Sequence, residues 1–236
     1  MYDRSADIYD LLYVGLGIKD YAAESATLQD LISSYSPNAQ TLLDVACGTG
    51  AHLAHLRSHY QVEGLDLSPA MLSAAKARLP GVPLHVADMR TLSLPRRFDV
   101  ILCLFSSIGY VLDSRQMHAT VARFASHLNP LGLLILDGWV RPEAWHDDYL
   151  PSPEIASNGD TTVVRLAANR RSGSITTLDM HHLVRTPLGI EHFSEVHALA
   201  LVPTADYVAA MEQANLQSHV ISDYMPGRDR ILGLKP

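Results

Sequence analysis

Short apolar segments alternate with segments of helical spacing through the first 140 residues of the chain. The segments of helical spacing place apolar residues three and four positions apart, which is typical of amphipathic helices. Strands that are apolar on both faces and separated by helices form parallel sheets covered on both sides. We therefore predict an α/β fold with a doubly wound, mostly parallel sheet. The predicted strands are TLLDVA (41–46), QVEGLD (61–66), PLHVAD (83–88), FDVILCL (98–104) and LGLLILD (131–137).

The pattern changes after Trp139. Residues 161–202 alternate in part between apolar and polar positions, and the alternation breaks at Arg-Ser-Gly and at Pro-Leu-Gly. This pattern predicts three antiparallel strands joined by two turns. We predict an antiparallel β layer inserted into the α/β domain. The predicted inserted layer covers residues 139–202, and the α/β domain covers residues 1–138 and 203–236. Within the last part of the α/β domain we predict a helix at 203–215 and strands at 217–224 and 228–234.

Two glycines and two acidic residues lie at the ends of the first two predicted strands. Ligands of open parallel sheets bind at the carboxyl ends of the strands. Gly48 and Gly50 have no Cβ atom, which lets a ligand approach the backbone closely. Asp44 lies where a carboxylate can accept hydrogen bonds from loop amides or from a ligand ammonium. Asp66 ends the second strand, where a carboxylate suits the two hydroxyls of a ribose.

The third predicted strand adds features that suit an adenine ring. Asp88 can accept a hydrogen bond from the exocyclic amine of adenine, and Met71 and Met89 can contact the ring. The dinucleotide fingerprint Gly-x-Gly-x-x-Gly is incomplete, because Leu53 stands at its third glycine. The chain also lacks the Tyr-x-x-x-Lys pair of NAD-linked reductases. Such a reductase is therefore disfavoured, and a nucleotide-binding module without catalysis stays an alternative.

Charge and cysteine content narrow the possible classes of protein. A formal charge of -7 without a basic block argues against nucleic-acid binding. No segment has the roughly 18 apolar residues of a membrane span, and the N-terminal residues do not resemble a signal peptide, so we expect a cytoplasmic protein. Cys47 and Cys103 lack metal-ligand spacing, and we expect no metal. His52, His55 and His59 fall on one helical face, which we interpret as solvated rather than as a zinc site.

Three motifs resemble those of class I S-adenosylmethionine (SAM)-dependent methyltransferases: LLDVACGTG (42–50), VEGLDLSPAML (62–72) and ADMR (87–90). Four longer segments resemble the N-methyltransferases of TDP-linked 3-amino sugars in macrolide antibiotic biosynthesis: YDLLYVGLGIKDY, FDVILCLFSSIGYV, DMHHLVRTPLGIEHFSEVH and PGRDRILGL. The resemblance implies S-adenosyl-L-methionine as the methyl donor. It also implies that the acceptor is the amine of a TDP-linked 3-amino-3,6-dideoxyhexose, methylated to the dimethylamine.

The same resemblance implies which residues hold the cofactor. Two tyrosines of the N-terminal segment would close over the methionine part of SAM, and the ends of the first four strands would supply the rest of the site. The implied residues are Tyr9, Tyr21, Asp44, Ala46, Gly48, Gly50, Asp66, Leu67, Met71, Asp88, Met89 and Leu104.

Methyl transfer from a sulfonium to an amine requires an uncharged amine held in line with the departing sulfur. The resemblance implies three candidate catalytic residues: Tyr9, Tyr110 and His181. Some relatives carry histidine at the position of Tyr110; a phenol, with a pKa of roughly 10, is better suited to orienting the amine than to deprotonating it. We consider His181 as a proton acceptor or a diphosphate contact, and a purely structural strand histidine is the alternative. Successive residues of a strand face opposite sides, so His181 and His182 cannot share one role.

The remaining implied residues surround the acceptor sugar. Trp139 would stack on the sugar or thymine, or else seal the core, and a pair of arginines would converge on the diphosphate. The departures Asp137-Gly138, Val140 and Thr177 from the family pattern leave another acceptor possible, such as a 4-amino sugar or a hydroxyl compound. The inserted layer would cover the acceptor site and supply a homodimer interface. The implied substrate-binding residues are Phe105, Ser106, Ser107, Trp139, Arg165, Arg171 and Arg228.

Overall fold

The computed structural model describes residues 4–147 and 150–236, which form two β-sheets and several helices. The strands in chain order are β1 (Thr41–Val45), β2 (Gln61–Asp66), β3 (Leu84–Val86), β4 (Phe98–Cys103), β5 (Leu128–Asp137), β6 (Glu154–Ser157), β7 (Thr162–Ser172), β8 (Ile175–Thr186), β9 (Gly189–Ala200), β10 (Gln217–Met225) and β11 (Arg228–Leu234). The α-helices are α1 (Tyr9–Gly15), α2 (Tyr21–Tyr35), α3 (Ala51–Leu56), α4 (Pro69–Arg78), α5 (Ser114–Ser126) and α6 (Thr204–Gln213).

The larger sheet has the strand order β10-β11-β5-β4-β1-β2-β3. Strands β1 to β5 pair in parallel, and β11 pairs antiparallel with β5 and with β10. The strand order reverses at β1, which lies between β2 and β4, so the carboxyl ends of these strands border one crevice. The predicted doubly wound, mostly parallel sheet is confirmed.

Each face of the larger sheet has its own helical cover. Leu42 and Leu43 are adjacent in β1 and completely buried, yet they belong to separate apolar clusters because successive strand residues face opposite sides. Leu42 packs with residues of α2, α3 and α4, including Leu28, whereas Leu43 packs with residues of α5 and α6, including Phe124. Burial on both faces explains why these strands read as continuous apolar runs.

The smaller sheet has the antiparallel order β6-β7-β8-β9. Its last three strands match the predicted antiparallel strands. Gly173 lies in the first turn and Gly189 begins β9 directly after the second, and both have positive φ. The pattern analysis did not predict β6, which is four residues long, or the helices α1 and α2. The N-terminal segment packs on the smaller sheet through an apolar cluster of Ile8, Leu12, Ala156, Val163 and Phe193.

Among the described residues, no helix is long and apolar enough to span a membrane. Nor do three or more His, Cys, Asp or Glu side chains within that part of the chain lie close enough to hold a metal ion.

Gly50 offers a test of why the loop after β1 requires glycine. Its φ is +70°, and a Cβ atom there would lie 2.6 Å from Leu79 Cδ1 and 3.3 Å from Ala75 Cβ. We expect Gly50→Ala to lower the free energy of unfolding by about 2–4 kcal/mol, from backbone strain and overpacking together. Gly81→Ala is the matched control, since Gly81 has φ +82° with nothing within 4 Å. It should cost only about 1–2 kcal/mol in urea denaturation. Equal losses would show that packing against α4 is not the reason for glycine.

Candidate active site

The two glycines of the loop after β1 serve different purposes. A Cβ atom at Gly50 would collide with the Leu79 side chain, so this glycine allows close packing of α3 against α4. A Cβ atom at Gly48, which has φ +55°, would meet nothing within 4 Å. Gly48 lines both cavities at the carboxyl ends of the strands, so a side chain there would project into ligand space. Ala46, with φ 60°, adds a strained residue to the same turn.

Asp44 is buried at the end of β1. Burial and the neighbouring charge of Asp66 raise the pKa of Asp44 to about 8, while the Lys19 ammonium acts in the opposite direction. A buried carboxyl group of this kind favours a cationic ligand, because a nearby positive charge restores its ionised form. Asp44 lines the larger cavity, where a ligand ammonium can reach it.

Asp66 ties the glycine loop to the start of α4. Its carboxylate accepts hydrogen bonds from the backbone N–H of Gly48 at 2.9 Å and of Ser68 at 2.8 Å. Asp66 also lines the smaller cavity, of about 100 Å³, together with Met71 and Asp88. The other predicted cofactor residues that line it are Tyr9, Ala46, Gly48, Leu67 and Met89.

Asp88 is placed at the smaller cavity but is paired within the protein. Both of its carboxylate oxygens accept from Arg90 Nε at 3.0 Å, and Oδ1 also accepts from the Arg90 backbone N–H at 2.9 Å. Hydrogen bonds from the Arg90 side chain lower the pKa of Asp88. An adenine amine at this edge would therefore share Asp88 with Arg90, a partner that the sequence analysis did not anticipate.

The larger cavity has a volume of about 550 Å³ and lies between the two sheets. Tyr9 and Tyr110 line both cavities and mark where they meet. Burial, followed by the charges of neighbouring tyrosines, raises the pKa of Tyr9, so its phenol stays protonated. The other predicted site residues at the larger cavity are Tyr21, Asp44, Ala46, Gly48, Leu104, Phe105, Ser107, Trp139, Arg165 and Arg228.

The turn after β4 is held in a strained conformation by residues of two other strands. Phe105 and Ser106 have φ of 50° and 64°. The Phe105 backbone N–H donates to Asp137 Oδ2 at 3.0 Å, and Arg230 binds the same carboxylate with Nε at 2.6 Å from Oδ1. The Asp137–Arg230 pair, which was missed in the sequence analysis, thus fixes the direction of the Phe105 side chain.

Four predicted site residues line neither cavity: Gly50, which allows α3 to pack against α4, and Ser106, Arg171 and His181. Ser106 is buried, and its hydroxyl donates to the Gly138 carbonyl oxygen at 2.8 Å, so its placement is structural. Arg171 is exposed and donates to the Gly173 carbonyl oxygen at 2.8 Å. His181 lies on the exposed outer face of the smaller sheet, where its ring stacks on that of His192. The structure therefore does not bring the predicted proton acceptor His181 or the predicted phosphate ligand Arg171 to the site.

The alternation of β8 explains the misplacement of His181. Its neighbour His182 points inward and is buried against Phe193. Burial, with a smaller contribution from Arg165, lowers the pKa of His182 to about 4. The inward positions of β8 that reach the cavity are Leu178 and Met180, both apolar.

Arg165 and Arg228 line the larger cavity, as predicted for a diphosphate site, and both have partners within the protein. The guanidinium of Arg165 donates to Glu154 and, at 3.0 Å, to the Tyr13 hydroxyl. The guanidinium of Arg228 lies 4.2 Å from the ring centroid of Trp139 and donates to the Ser106 hydroxyl at 3.3 Å. Trp139 donates from its indole to Thr176 at 3.1 Å, so the ring is fixed between the two sheets.

Lys19 is a cavity residue that the sequence analysis missed. It is buried, its ammonium lies 3.9 Å from the ring centroid of Phe105, and it donates to Glu24 at 2.6 Å. Burial lowers the pKa of Lys19, opposed by Glu24. His52 joins this group with its Nε2 at 2.8 Å from the same Glu24 oxygen. The expectation that His52 belongs to a solvated helix face is wrong, because α2 covers this face of α3.

The doubly wound sheet, the open Gly48 position and the acids at the ends of the strands define a SAM-dependent methyltransferase. The profile of the methyltransferase domain family matches residues 42–132, which include the glycine loop. The chain is 40% identical over 231 residues to the dTDP-3-amino-3,4,6-trideoxy-alpha-D-glucopyranose N,N-dimethyltransferase of Streptomyces venezuelae, with 97% of each chain covered. The chain belongs to this family of dTDP-amino sugar N,N-dimethyltransferases.

Two further relatives show the range of the family. The dTDP-4-amino-2,3,4,6-tetradeoxy-D-glucose N,N-dimethyltransferase of Saccharopolyspora spinosa is 35% identical, with 98% of this chain and 92% of the relative covered. The SAM-bound structure of CalS10, an amino pentose methyltransferase from Micromonospora echinaspora involved in calicheamicin biosynthesis, superposes with a TM-score of 0.87. That structure is 37% identical in sequence, with 97% of each chain covered.

The raised pKa of Asp44 predicts a conflict between stability and cofactor binding. The pKa is about 8 in the folded protein and roughly 3.9 in the unfolded chain, so Asp44 destabilises the fold increasingly as pH rises between these values. We expect Asp44→Asn to raise the unfolding temperature of the ligand-free protein, more at pH 8 than at pH 5. The same substitution should weaken SAM binding in calorimetry, because the ammonium of SAM loses a carboxylate.

Asp160→Asn is the matched control, since Asp160 is exposed on a turn of the smaller sheet. Its unfolding temperature should follow that of the unmodified protein at every pH. If Asp44→Asn also followed the unmodified protein across this pH range, the carboxyl group would not be protonated in the folded state.

Proposed function

We propose that this protein transfers methyl groups from SAM to the amine of a TDP-linked 3-amino-3,6-dideoxyhexose and forms the dimethylamine in antibiotic sugar biosynthesis. The observation that carries the proposal is the full-length 40% identity to a dimethyltransferase of a dTDP-linked 3-amino sugar. The described geometry agrees with it, because a large cavity suited to a nucleotide sugar adjoins a smaller cavity suited to adenosine.

SAM supplies an electrophilic methyl group on a sulfonium when it is bound. Gly48 lets the cofactor approach the backbone, and Asp66 faces the cavity proposed for the ribose and adenine. Asp44 and Lys19, both buried and both lining the larger cavity, are the acid and base suited to the ammonium and carboxylate of the methionine part. Tyr9, at the junction of the cavities, would lie over the sulfonium.

The acceptor would occupy the larger cavity, with its amine at the junction and its nucleotide toward the smaller sheet. Arg228 and Arg165 supply positive charge for the diphosphate, and Trp139 supplies an aromatic face. Tyr110 lines the junction from the side of the 3₁₀-helix Ser107–Tyr110, where its hydroxyl can meet the amine. Tyr9 and Phe105 are partly buried and line this cavity, so with a ligand bound they would help to exclude water from the reacting groups.

A 4-amino sugar is the second candidate acceptor. It is favoured by the 35% identity to the 4-amino sugar enzyme of Saccharopolyspora spinosa. Of the positions that depart from the family pattern, Val140 lines the larger cavity and so bears on which sugar is bound. Thr177 alternates with the inward-facing Leu178 in β8 and does not line the cavity.

The proposal includes a cytoplasmic location and a homodimer. The outer face of the smaller sheet exposes Leu166, Leu183 and Val196, three apolar side chains that a second copy of the chain would cover. We expect a dimer in analytical ultracentrifugation and a shift toward monomer on Leu183→Glu. A monomer at micromolar concentration would remove the dimer from the proposal without affecting the reaction.

Product analysis tests the reaction directly. With SAM and a TDP-linked 3-amino-3,6-dideoxyhexose, we expect successive mass increases of about 14 Da for one methyl group and about 28 Da for two, by the addition of CH₂ each time. A TDP-linked 4-amino sugar and a TDP-linked sugar with a hydroxyl at the same carbon are the comparison acceptors. Methylation of the 4-amino sugar alone would replace the 3-amino assignment. No transfer to any TDP-amino sugar would overturn the proposed function.

A further inference from the structure

Tyr110 has a buried histidine behind it. The Tyr110 hydroxyl lies 2.7 Å from Nδ1 of His197, an inward-facing residue of β9 with 2% of its surface exposed. His197 does not line either cavity, so it can reach a ligand only through Tyr110. Tyr110, in contrast, lines both cavities at the point where they meet.

The other side of the imidazole faces a carboxylate. Glu195 Oε2 lies 3.8 Å from His197 Nε2, and the same oxygen accepts from the Ser5 hydroxyl at 2.7 Å. Burial opposes the ionisation of Glu195, but the nearby His197 ring and hydrogen bonds from Ser5 and the Arg4 backbone outweigh it and lower the pKa of Glu195 to about 2. A carboxylate on the Nε2 side favours the tautomer with its proton on Nε2, which leaves Nδ1 as an acceptor.

This tautomer fixes the direction of the Tyr110 hydrogen bond. When Nδ1 is unprotonated, the phenol must donate its hydrogen to His197, and its oxygen lone pairs remain available on the cavity side. An amine that donates an N–H to this oxygen keeps its own lone pair for the methyl group. A phenol that donated to the amine would instead occupy the lone pair and block the attack.

We infer that His197, oriented by Glu195, is a positioning residue that compels the Tyr110 hydroxyl to accept a hydrogen bond from the acceptor amine. The inference rests on the proposed function, since it assigns the amine of the sugar to the junction of the two cavities. It requires no proton transfer to His197.

Protonation of His197 would reverse the arrangement, because an imidazolium donates from both nitrogens and frees the phenol hydrogen to point at the amine. The charged or titratable groups that face the pair are Glu195 on β9, His182 on β8, Arg165 on β7 and Tyr9 on α1.

The first test needs no activity. ¹⁵N NMR of the histidine-labelled protein at pH 8 should show an unprotonated, hydrogen-bonded Nδ1 and a protonated Nε2 for His197. Substitution of Tyr110→Phe should shift the Nδ1 resonance, because the hydrogen bond is lost. The opposite tautomer, with the proton on Nδ1, would overturn the inference.

The second test uses steady-state kinetics with the TDP-amino sugar. His197→Leu leaves Tyr110 free to donate to the amine and should lower kcat about 10-fold without changing the KM for SAM. Adding Tyr110→Phe removes the phenol hydrogen that would otherwise point at the amine. The kcat of the double variant should therefore be higher than that of His197→Leu and equal to that of Tyr110→Phe. His192→Leu, on the same strand but on its exposed outer face, is the matched control and should retain the kcat of the unmodified protein.

His197→Asn should restore the kcat that His197→Leu loses, because the asparagine side-chain oxygen can accept the hydrogen of the Tyr110 phenol and the amide does not titrate. Its kcat should approach that of the unmodified protein, whereas that of His197→Leu should not. A double variant that shows the product of the two single losses would overturn the inference. If the unmodified enzyme methylates no TDP-amino sugar, the proposed function fails, while the tautomer measurement still decides the state of His197.

Discussion

Three buried carboxylates at the carboxyl ends of parallel strands set the constraint on which the site depends. Each needs compensation, because a buried charge without hydrogen bonds or a counter-charge is strongly unfavourable. The backbone N–H of Gly48 donates to Asp66, and Arg230 donates to Asp137. Asp44 is the member of this set with a raised pKa, because burial and the charge of Asp66 disfavour its ionised form. In the proposed function, the ammonium of SAM would compensate this acid.

The N-terminal segment covers this crevice and contacts elements of both sheets. Asp10 accepts from Arg78 at 2.6 Å and from the Thr49 hydroxyl at 3.0 Å, which ties α1 to the glycine loop and to α4. Ser5 and Tyr13 bond instead to Glu195 and Arg165 of the smaller sheet. A short stretch of chain therefore links the proposed cofactor cavity to the proposed acceptor cavity.

The sequence predicted the larger sheet well because burial on both faces produces apolar runs that are hard to misread. Gly48, Asp44 and Asp66 were predicted at the site for the same reason, since the ends of parallel strands must converge. Residues whose role depends on another strand were missed: Lys19, His197 and Arg230 have no local pattern that reveals their partners. The prediction assigned a site role to His181, which lies on the outer face. The sequence alone could not tell which of the adjacent His181 and His182 faces inward, because that depends on the register of β8. The interior position of His52 likewise depended on α2, which its weak amphipathic pattern did not reveal.

The two loop glycines also carry different evolutionary information. Gly50 is required by contact with Leu79 and would persist in any descendant that keeps this fold, whether or not it still acts as an enzyme. Gly48 also has a positive φ, but a Cβ atom there would face open space, so apart from backbone strain a side chain would conflict only with a molecule that enters the crevice. A homologue that keeps glycine at the position of Gly50 but carries another residue at the position of Gly48 would belong to a lineage that lost catalysis while it kept the fold.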